Sequence, residues 1–223
     1  MLGEPTRQWE TQWMEAGVAH LHGDLDEAER LIDASLPSAG AVAPSRVMAT
    51  YGTQLLAIRI DQGRVGKLVD ELRGLTVEQP GVHARRAAPA LSAAQSDRPA
   101  LALEELASFW GAGSLRLPGD FTWTAMTVVL ARAATMDSTP SMQADLVNAL
   151  RPYSGRLAWG GSCSYGPIDT ALGMLLDAAG DRAGAEAAFR GALVLADRLG
   201  PTCFGAEADR LLDGLRRAGS DRP

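Results

Sequence analysis

Few side chains of this chain have types and spacings that suit chemistry. Cys163 and Ser162 are nucleophile types in a stretch rich in Gly and Ser, but a catalytic thiol or hydroxyl needs a base beside it. The candidate bases are His20, His22 and His83, all remote in sequence from the thiol. The sequence therefore predicts no catalytic residues. It leaves open only that folding brings a histidine to the cysteine.

Metal and cofactor sites are not expected either. His20 and His22 are two residues apart, which points them to different faces of a helix. The chain has no G-x-x-x-x-G-K-[ST] phosphate loop, no G-x-G-x-x-G after a strand and no H-E-x-x-H zinc motif. Carboxylates such as Asp24 and Asp26 crowd the predicted helix starts, where they complement the helix dipole. These observations favour a protein that is not an enzyme.

Aromatic and polar side chains on predicted helices are the candidates for binding. Aromatic rings beside a few polar groups are the usual chemistry of a recognition surface. The predicted ligand or partner groove contains Trp13, Tyr51, Gln54, Arg59, Trp123 and Tyr165. Within it, Gln54 and Arg59 would fix a polar or anionic group. The alternative for Trp13 and Trp123 is a packing role, because the same stripes also serve the core.

Paired helices must position these residues. Recurring turn residues are separated by 40, 33, 40 and 44 residues: Asp24, Arg64, Asp97, Asp137 and Asp181. Tetratricopeptide (TPR) repeats have a period of about 34 residues and HEAT-like repeats a period of about 40. The sequence predicts an all-α fold, a right-handed α-solenoid of TPR-like antiparallel helix pairs, as a single domain over 1–223. We expect an almost wholly helical chain with about ten or eleven helices. The pairs span about 6–36, 44–78, 83–111, 120–151 and 164–199, with a capping helix at 202–218.

The fifth pair gives the strongest repeat signal. Leu172-Gly173 followed by Ala185 and Phe189 matches the L-G and A-x3-F pattern of a TPR. Small residues there allow two helices to cross closely, and the aromatic ring fills the gap beside them. We therefore expect Ala185 and Phe189 to be buried at this crossing. Asp169 departs from the pattern, which has Trp at that position.

Two stretches interrupt the repeats. Pro89 lies inside an Ala-rich stretch at 85–95, so the first helix of the third pair should start late or be kinked. Residues 151–166, rich in Gly and Ser, are predicted to be the one long loop. Loops of that length are often functional or disordered.

Composition narrows the class of partner. The net charge is -6, and Lys67 is the only lysine, which argues against nucleic-acid binding by the chain itself. Residues 1–7 show no apolar run and no stretch reaches the roughly 18 apolar residues of a membrane span. We therefore expect no membrane association, a cytoplasmic location and reduced thiols at Cys163 and Cys203.

Four phrases of the sequence carry a family resemblance. They are GEPTRQWETQWMEAGVAHLHGDLDEAERL, YGTQLLAIRIDQGRVGKL, LRPYSGRLAWGGSCSYGPIDTALGMLLDAAGDRAGAEAAFRGAL and DRLGPTCFGAEADRLL. In this order they resemble the C-terminal repeat region of actinobacterial LuxR-family ATPase regulators and the related adenylyl-cyclase-type ATPase proteins. The resemblance covers nearly the whole chain. It implies a sensor or scaffold part, either standing alone or cut from a multidomain regulator of transcription.

The resulting expectation is a non-enzymatic, TPR-like binding module of a bacterial regulatory system. Its partner would be a protein or peptide, or a small-molecule effector, with no cofactor. One alternative is an enzyme whose pocket is closed by the loop at 151–166. The other is a self-assembling structural module in which one face forms a homodimer.

Overall fold

Helices make up most of the chain in the computed structural model, which describes residues 4–40, 42–78, 86–200 and 202–220. The described residues form α1 (Glu4–His22), α2 (Leu25–Ser35), α3 (Pro44–Asp61), α4 (Val69–Glu78), α5 (Ala88–Ala94), α6 (Pro99–Ala107), α7 (Trp123–Ala134), α8 (Pro140–Leu150), α9 (Ile168–Ala178), α10 (Arg182–Leu199) and α11 (Cys203–Ser220). Short 3-10 segments lie at Leu36–Ala39, Val65–Leu68 and Arg151–Tyr153. The predicted all-α class and the helix number are confirmed for this part of the chain.

Most neighbouring helices pack in pairs, and α5 and α7 are the most deeply buried helices. α1 packs along α2, α5 along α6, α7 against α8, and α9 along α10, while α11 packs on α10. Every residue of α5 is buried, and so is every residue of α7 from Ala125 to Ala134. α5 and α7 touch one another, and α7 also touches α9, so the main apolar core follows these three helices. The last helix returns to the first, since α11 also contacts α1.

Capping interactions end one helix and start the next at two of the recurring turn residues, Asp181 and Asp24. Gly180 has φ +84°, a left-handed conformation that glycine adopts readily, and it ends α9. Asp181 then caps α10, its carboxylate accepting a hydrogen bond from the Gly184 backbone N at 2.9 Å. Gly23-Asp24 repeats this arrangement before α2.

Two further local predictions are confirmed. Ala185 and Phe189 are buried, with exposed fractions of 0% and 1%. A Cβ atom added to Gly173 would lie only 2.4 Å from the Phe189 ring, so the two helices of this pair cross closely. In the third pair, α5 starts at Ala88 with Pro89 in its first turn, where the missing N–H costs nothing.

The expectation that residues 151–166 form one long loop is wrong. Residues 157–167 form an antiparallel hairpin of β3 (Leu157–Trp159) and β4 (Ser164–Pro167). A smaller hairpin joins β1 (Trp110–Gly111) to β2 (Ser114–Leu115). Such short strands carry too few residues to show an alternating pattern.

A buried carboxylate fixes the entry to the larger hairpin. Asp169 is 3% exposed and accepts hydrogen bonds from Ser154 Oγ at 2.6 Å and Gly155 N at 2.7 Å. This role explains why an acidic residue stands where a TPR has tryptophan.

Among the described residues, no helix is both long and apolar enough to cross a membrane.

Candidate functional site

A groove lined by aromatic rings lies between the first helices and the turn of the larger hairpin. It has a volume of about 290 Å³. Its lining residues are Trp9, Trp13, Arg46, Ala49, Thr50, Thr53, Phe121, Thr122, Gly160, Gly161 and Ser162. α1 and α3 supply the first six of these, and the segment before α7 and the hairpin turn supply the others. We call this depression the aromatic groove.

Three rings give the groove its apolar character. Trp9 is almost fully buried, and its ring centroid lies 6.3 Å from that of Trp13 at an angle of 56°. Tilted pairs at this distance are a favourable aromatic arrangement. Phe121 lies at the opposite rim and is 75% exposed, so its ring contributes little to the core. The groove thus has a rigid aromatic wall on one side and a water-exposed ring on the other.

Two glycines let the hairpin turn pass under these rings. A Cβ atom on Gly160 would lie 2.6 Å from the Tyr165 ring, and one on Gly161 would lie 2.7 Å from the Phe121 ring. Gly161 also has φ +94°, which side-chain-bearing residues rarely adopt. The floor of the groove therefore requires the two glycines of the sequence W-G-G-S at 159–162.

One cation borders the groove. The Arg46 guanidinium lies 5.3 Å from the centroid of the Trp9 ring and donates to Glu10 Oε1 at 3.2 Å. The Arg46 side chain is 57% exposed, and ion pairs this open to water contribute little to stability. Arg46 can therefore exchange Glu10 for a carboxylate of a bound molecule at small cost.

The buried amide of Gln54 connects α1 to the hairpin turn behind the groove. Gln54 is 1% exposed, and its Nε2 donates to Trp13 O at 2.7 Å and to Ser162 O at 3.0 Å. Its Oε1 has no hydrogen-bond partner among the described residues. Tyr165 is also buried, and its hydroxyl donates to Thr53 O at 2.9 Å. Both side chains position the groove from behind.

The other predicted groove residues lie elsewhere. The Tyr51 hydroxyl donates to Asp33 of α2 at 2.9 Å, and Arg59 forms an ion pair with Glu29 of α2. Burial, together with the hydrogen bond to Asp33, raises the pKa of Tyr51 to about 12. Both side chains therefore connect α3 to α2.

Trp123 lies at a third place. Its ring centroid is 5.0 Å from that of Tyr153, and it lines a separate shallow depression with Leu115 and Asp145. The six predicted residues thus divide among three places, and only Trp13 lines the aromatic groove. Sequence reasoning did not select Trp9, Arg46 and Phe121 for the groove. Trp9 lies one helical turn before Trp13, and this spacing indicates that both rings share one face of α1. Phe121 belongs to no periodic stripe of apolar residues.

Folding does bring a histidine to a thiol, but at the other cysteine. Cys203 Sγ lies 3.3 Å from His20 O, while His20 Nε2 is hydrogen-bonded to Asp61 at 2.6 Å. Burial, followed by the negative charge of Asp61, raises the pKa of Cys203 to about 12. Burial also raises the pKa of Cys163, which is 3% exposed. Burial therefore disfavours the thiolate form of both cysteines. The third candidate base, His83, lies outside the described residues.

Comparison of the chain with protein-family models, with curated proteins and with solved structures gives no match in any of the three. A functional interpretation therefore depends on the geometry of the groove and on the phrases of the sequence.

Proposed function

We propose that the chain is a non-enzymatic binding module whose TPR-like helix pairs wind as a right-handed solenoid. In this proposal the aromatic groove takes an apolar segment of a partner protein. The observation that carries the proposal is Phe121, a ring 75% exposed above a floor that accommodates only glycine. Large exposed rings beside a cleft are typical anchors of protein recognition.

The aromatic groove is small and is open to solvent at the exposed Phe121 ring. Pockets that enclose drug-sized ligands have volumes of about 300–1,000 Å³. At about 290 Å³, the aromatic groove matches one or two side chains inserted between Trp13 and Phe121. Trp159, which precedes the glycine floor in the sequence, is 49% exposed.

The charge at the groove indicates the composition of that segment. Arg46 is the charged residue of the lining, and its ion pair within the described part of the chain is the exposed one with Glu10. An acidic residue next to the inserted apolar side chain would complement the Arg46 guanidinium. The partner segment is therefore one that combines an aromatic or aliphatic residue with a neighbouring Asp or Glu.

The regulatory context of the proposal comes from the sequence. The phrases at 3–31, 51–68, 150–193 and 197–212 resemble the repeat region of LuxR-family and adenylyl-cyclase-type ATPase regulators. On that basis the module senses or transmits a signal by binding a protein of the same regulatory system. Burial raises the pKa of the Cys163 thiol, which supports a role without nucleophilic catalysis at this residue.

Selection of displayed random peptides on the immobilised chain tests the proposal. Enriched peptides should carry an apolar residue beside an acidic one. A chosen synthetic peptide should lose about tenfold or more in affinity with Phe121→Ala and with Arg46→Gln, as expected for anchor residues. Because both side chains are exposed, neither variant should change the melting temperature appreciably.

Two matched variants complete the test. Met136→Ala removes another exposed apolar side chain, and Arg30→Gln removes another exposed arginine paired with a glutamate. Neither residue lines the groove, so both variants should bind the peptide as the parent does. No enrichment, or equal losses in all four variants, would contradict a groove-specific partner. A concentration-dependent dimer that Phe121→Ala dissociates would instead assign the groove to self-assembly.

A further inference from the structure

Three side chains able to ligate a metal ion meet at one end of the molecule. His20 lies in the last turn of α1, Asp61 is the last residue of α3, and Cys203 is the first residue of α11. His20 Nε2 is 2.6 Å from Asp61 Oδ2, and Cys203 Sγ is 3.8 Å from the same oxygen. All three ligand atoms lie within 4.8 Å of one another. We call these residues the junction cluster.

We propose that the junction cluster is a Zn²⁺ site that fastens the first helix pairs to the last helix. Imidazole, carboxylate and thiolate are each ligands that zinc takes in proteins, whereas Ca²⁺ and Mg²⁺ prefer oxygen ligands alone. Three protein ligands leave the fourth tetrahedral position for water or another small ligand. This site is separate from the aromatic groove and does not depend on the function proposed for it.

The distances suit a tetrahedral ion after a small adjustment. Bond lengths of about 2.0–2.3 Å to N, O and S place tetrahedral ligand atoms about 3.3–3.7 Å apart. The Cys203–Asp61 separation of 3.8 Å is close to that range. The His20–Asp61 separation of 2.6 Å must widen, which requires rotation of the Asp61 side chain, 15% exposed at the end of α3. His20 itself is 2% exposed and held edge-on against the Phe204 ring.

The charges at the cluster also balance a divalent ion. A Cys203 thiolate and the Asp61 carboxylate together supply two negative charges, and His20 binds as a neutral ligand. The Arg132 guanidinium and the Glu207 carboxylate close to the cluster neutralise one another through two hydrogen bonds of 2.7 Å. A bound Zn²⁺ would therefore be balanced by its own ligands in this mostly buried region.

The competing interpretation is a protein-only contact. In it, His20 and Asp61 form a hydrogen-bonded pair and Cys203 remains a thiol that donates to His20 O. A catalytic thiol is a poorer fit, since His20 Nε2 bonds to Asp61 and the sulfur lies against two acceptor oxygens. A metal titration separates these possibilities because only a metal site binds the ion through the sulfur.

The experiment is a Co²⁺ titration of the full chain, followed by displacement with Zn²⁺. We expect one Co²⁺ per chain, with thiolate-to-cobalt charge-transfer absorption and the visible bands of tetrahedral cobalt, both lost when Zn²⁺ is added. Cys203→Ser and His20→Gln should each weaken Co²⁺ binding at least tenfold. Zn²⁺ should also raise the melting temperature of the parent chain and not that of Cys203→Ser.

The chain offers a matched control for each ligand type. Cys163→Ser changes the other cysteine, which lies 3% exposed in the main core, and His22→Gln changes an exposed histidine two residues from His20. Both variants should keep the cobalt spectrum. Far-ultraviolet circular dichroism of each variant without metal shows whether it is folded.

A measurement on the parent chain avoids reliance on variants that fail to fold. Zn²⁺ should slow modification of Cys203 by a thiol reagent at least tenfold, as mapped by mass spectrometry. The proposal is overturned if charge-transfer absorption is absent at saturating Co²⁺, if only octahedral cobalt forms, or if Cys203 reacts equally fast with and without Zn²⁺.

Discussion

Arg132 is the charged residue among the buried residues of α7. Every residue of α7 from Ala125 to Ala134 is buried, and the Arg132 side chain is 10% exposed. Its guanidinium donates to both carboxylate oxygens of Glu207 at 2.7 Å. Burial alone would raise the pKa of Glu207, but the charge and hydrogen bonds of Arg132 outweigh it and the pKa is lowered. The pair therefore joins α7 to α11.

Removal of one member of this pair should be strongly destabilising. Glu207→Ala leaves a buried guanidinium without its partner, and we expect a loss of about 3–5 kcal/mol in the free energy of unfolding. Replacement of both residues, Arg132→Met with Glu207→Leu, should lose less than Glu207→Ala alone, because no unpaired charge remains. Urea denaturation at pH 7 measures the free energy of unfolding of the parent, of Glu207→Ala and of the doubly substituted chain. Glu186→Ala, which breaks the exposed pair with Arg190, is the control and should lose less than about 1 kcal/mol.

The same pair predicts a pH dependence. The folded-state pKa of Glu207 is lowered, so its ionised carboxylate stabilises the folded chain. This contribution to the free energy of unfolding is complete above the unfolded-state pKa of about 4.3, and it is lost as the pH falls through the folded-state value. The unfolding free energy of the parent should therefore fall more steeply below about pH 4.3 than that of the doubly substituted chain. Parallel pH profiles would contradict a paired Glu207.

Residue roles were the least predictable part of the molecule from sequence. Gln54 was predicted to fix a ligand, but its amide contacts Ser162, 108 residues away. As a metal ligand, His20 is paired by the sequence only with His22, whereas its partners Asp61 and Cys203 are 41 and 183 positions from it. These contacts depend on how the helix pairs stack, and no local pattern encodes them. Trp13 was placed at a groove because aromatic stripes on helices are visible locally.

At the scale of elements, the crossing of α9 and α10 depends on one glycine. A Cβ atom on Gly173 would lie 2.4 Å and 2.5 Å from two atoms of the Phe189 ring, which is fully enclosed. Alanine favours a helix over glycine by about 0.5–1 kcal/mol, but overpacking a filled core costs about 1–3 kcal/mol. Steric overlap should therefore outweigh the gain in helix propensity when Gly173 is replaced by alanine.

Gly173→Ala should thus destabilise the chain by about 1–2 kcal/mol in urea denaturation. Gly214, inside α11, is the matched control, because a Cβ atom added there would meet no described heavy atom within 4 Å. Gly214→Ala should leave stability unchanged or raise it by up to about 1 kcal/mol. Equal effects of the two substitutions would mean that helix propensity, and not the close crossing, governs α9.

The sequence predicts best those helix starts that are determined by neighbouring residues. The helix start at Asp181 and the late start of α5 at Pro89 follow from capping and from proline geometry, which act within one turn. The hairpin of β3 and β4 was missed because its stability comes from tertiary contacts. Asp169 bonds to the segment that leads into it, and Tyr165 bonds to α3.

At the scale of the whole molecule, the two ends of the described chain meet. In an open solenoid each repeat contacts only its neighbours, so the terminal repeats unfold independently. Here Phe204 at the start of α11 lies edge-on to His20 of α1, with ring centroids 6.0 Å apart at 86°. The same ring lies beside Gly166 of β4. Contacts between the first and last helices should make unfolding of the ends cooperative.

Phe204→Ala tests this coupling. Phe204 is 1% exposed, and truncation of a phenylalanine this buried costs about 3–5 kcal/mol. If the ends are coupled, native-state hydrogen exchange should accelerate at amides of both α11 and α1, although the two helices are distant in sequence. The control is Phe189→Ala, an equally buried ring whose apolar cluster comprises residues of α9, α10 and α11. At matched total stability, this control should accelerate exchange in α1 less than Phe204→Ala does. If α1 keeps the exchange rates of the parent in Phe204→Ala while α11 loses its protection, the ends unfold independently, as in an open solenoid.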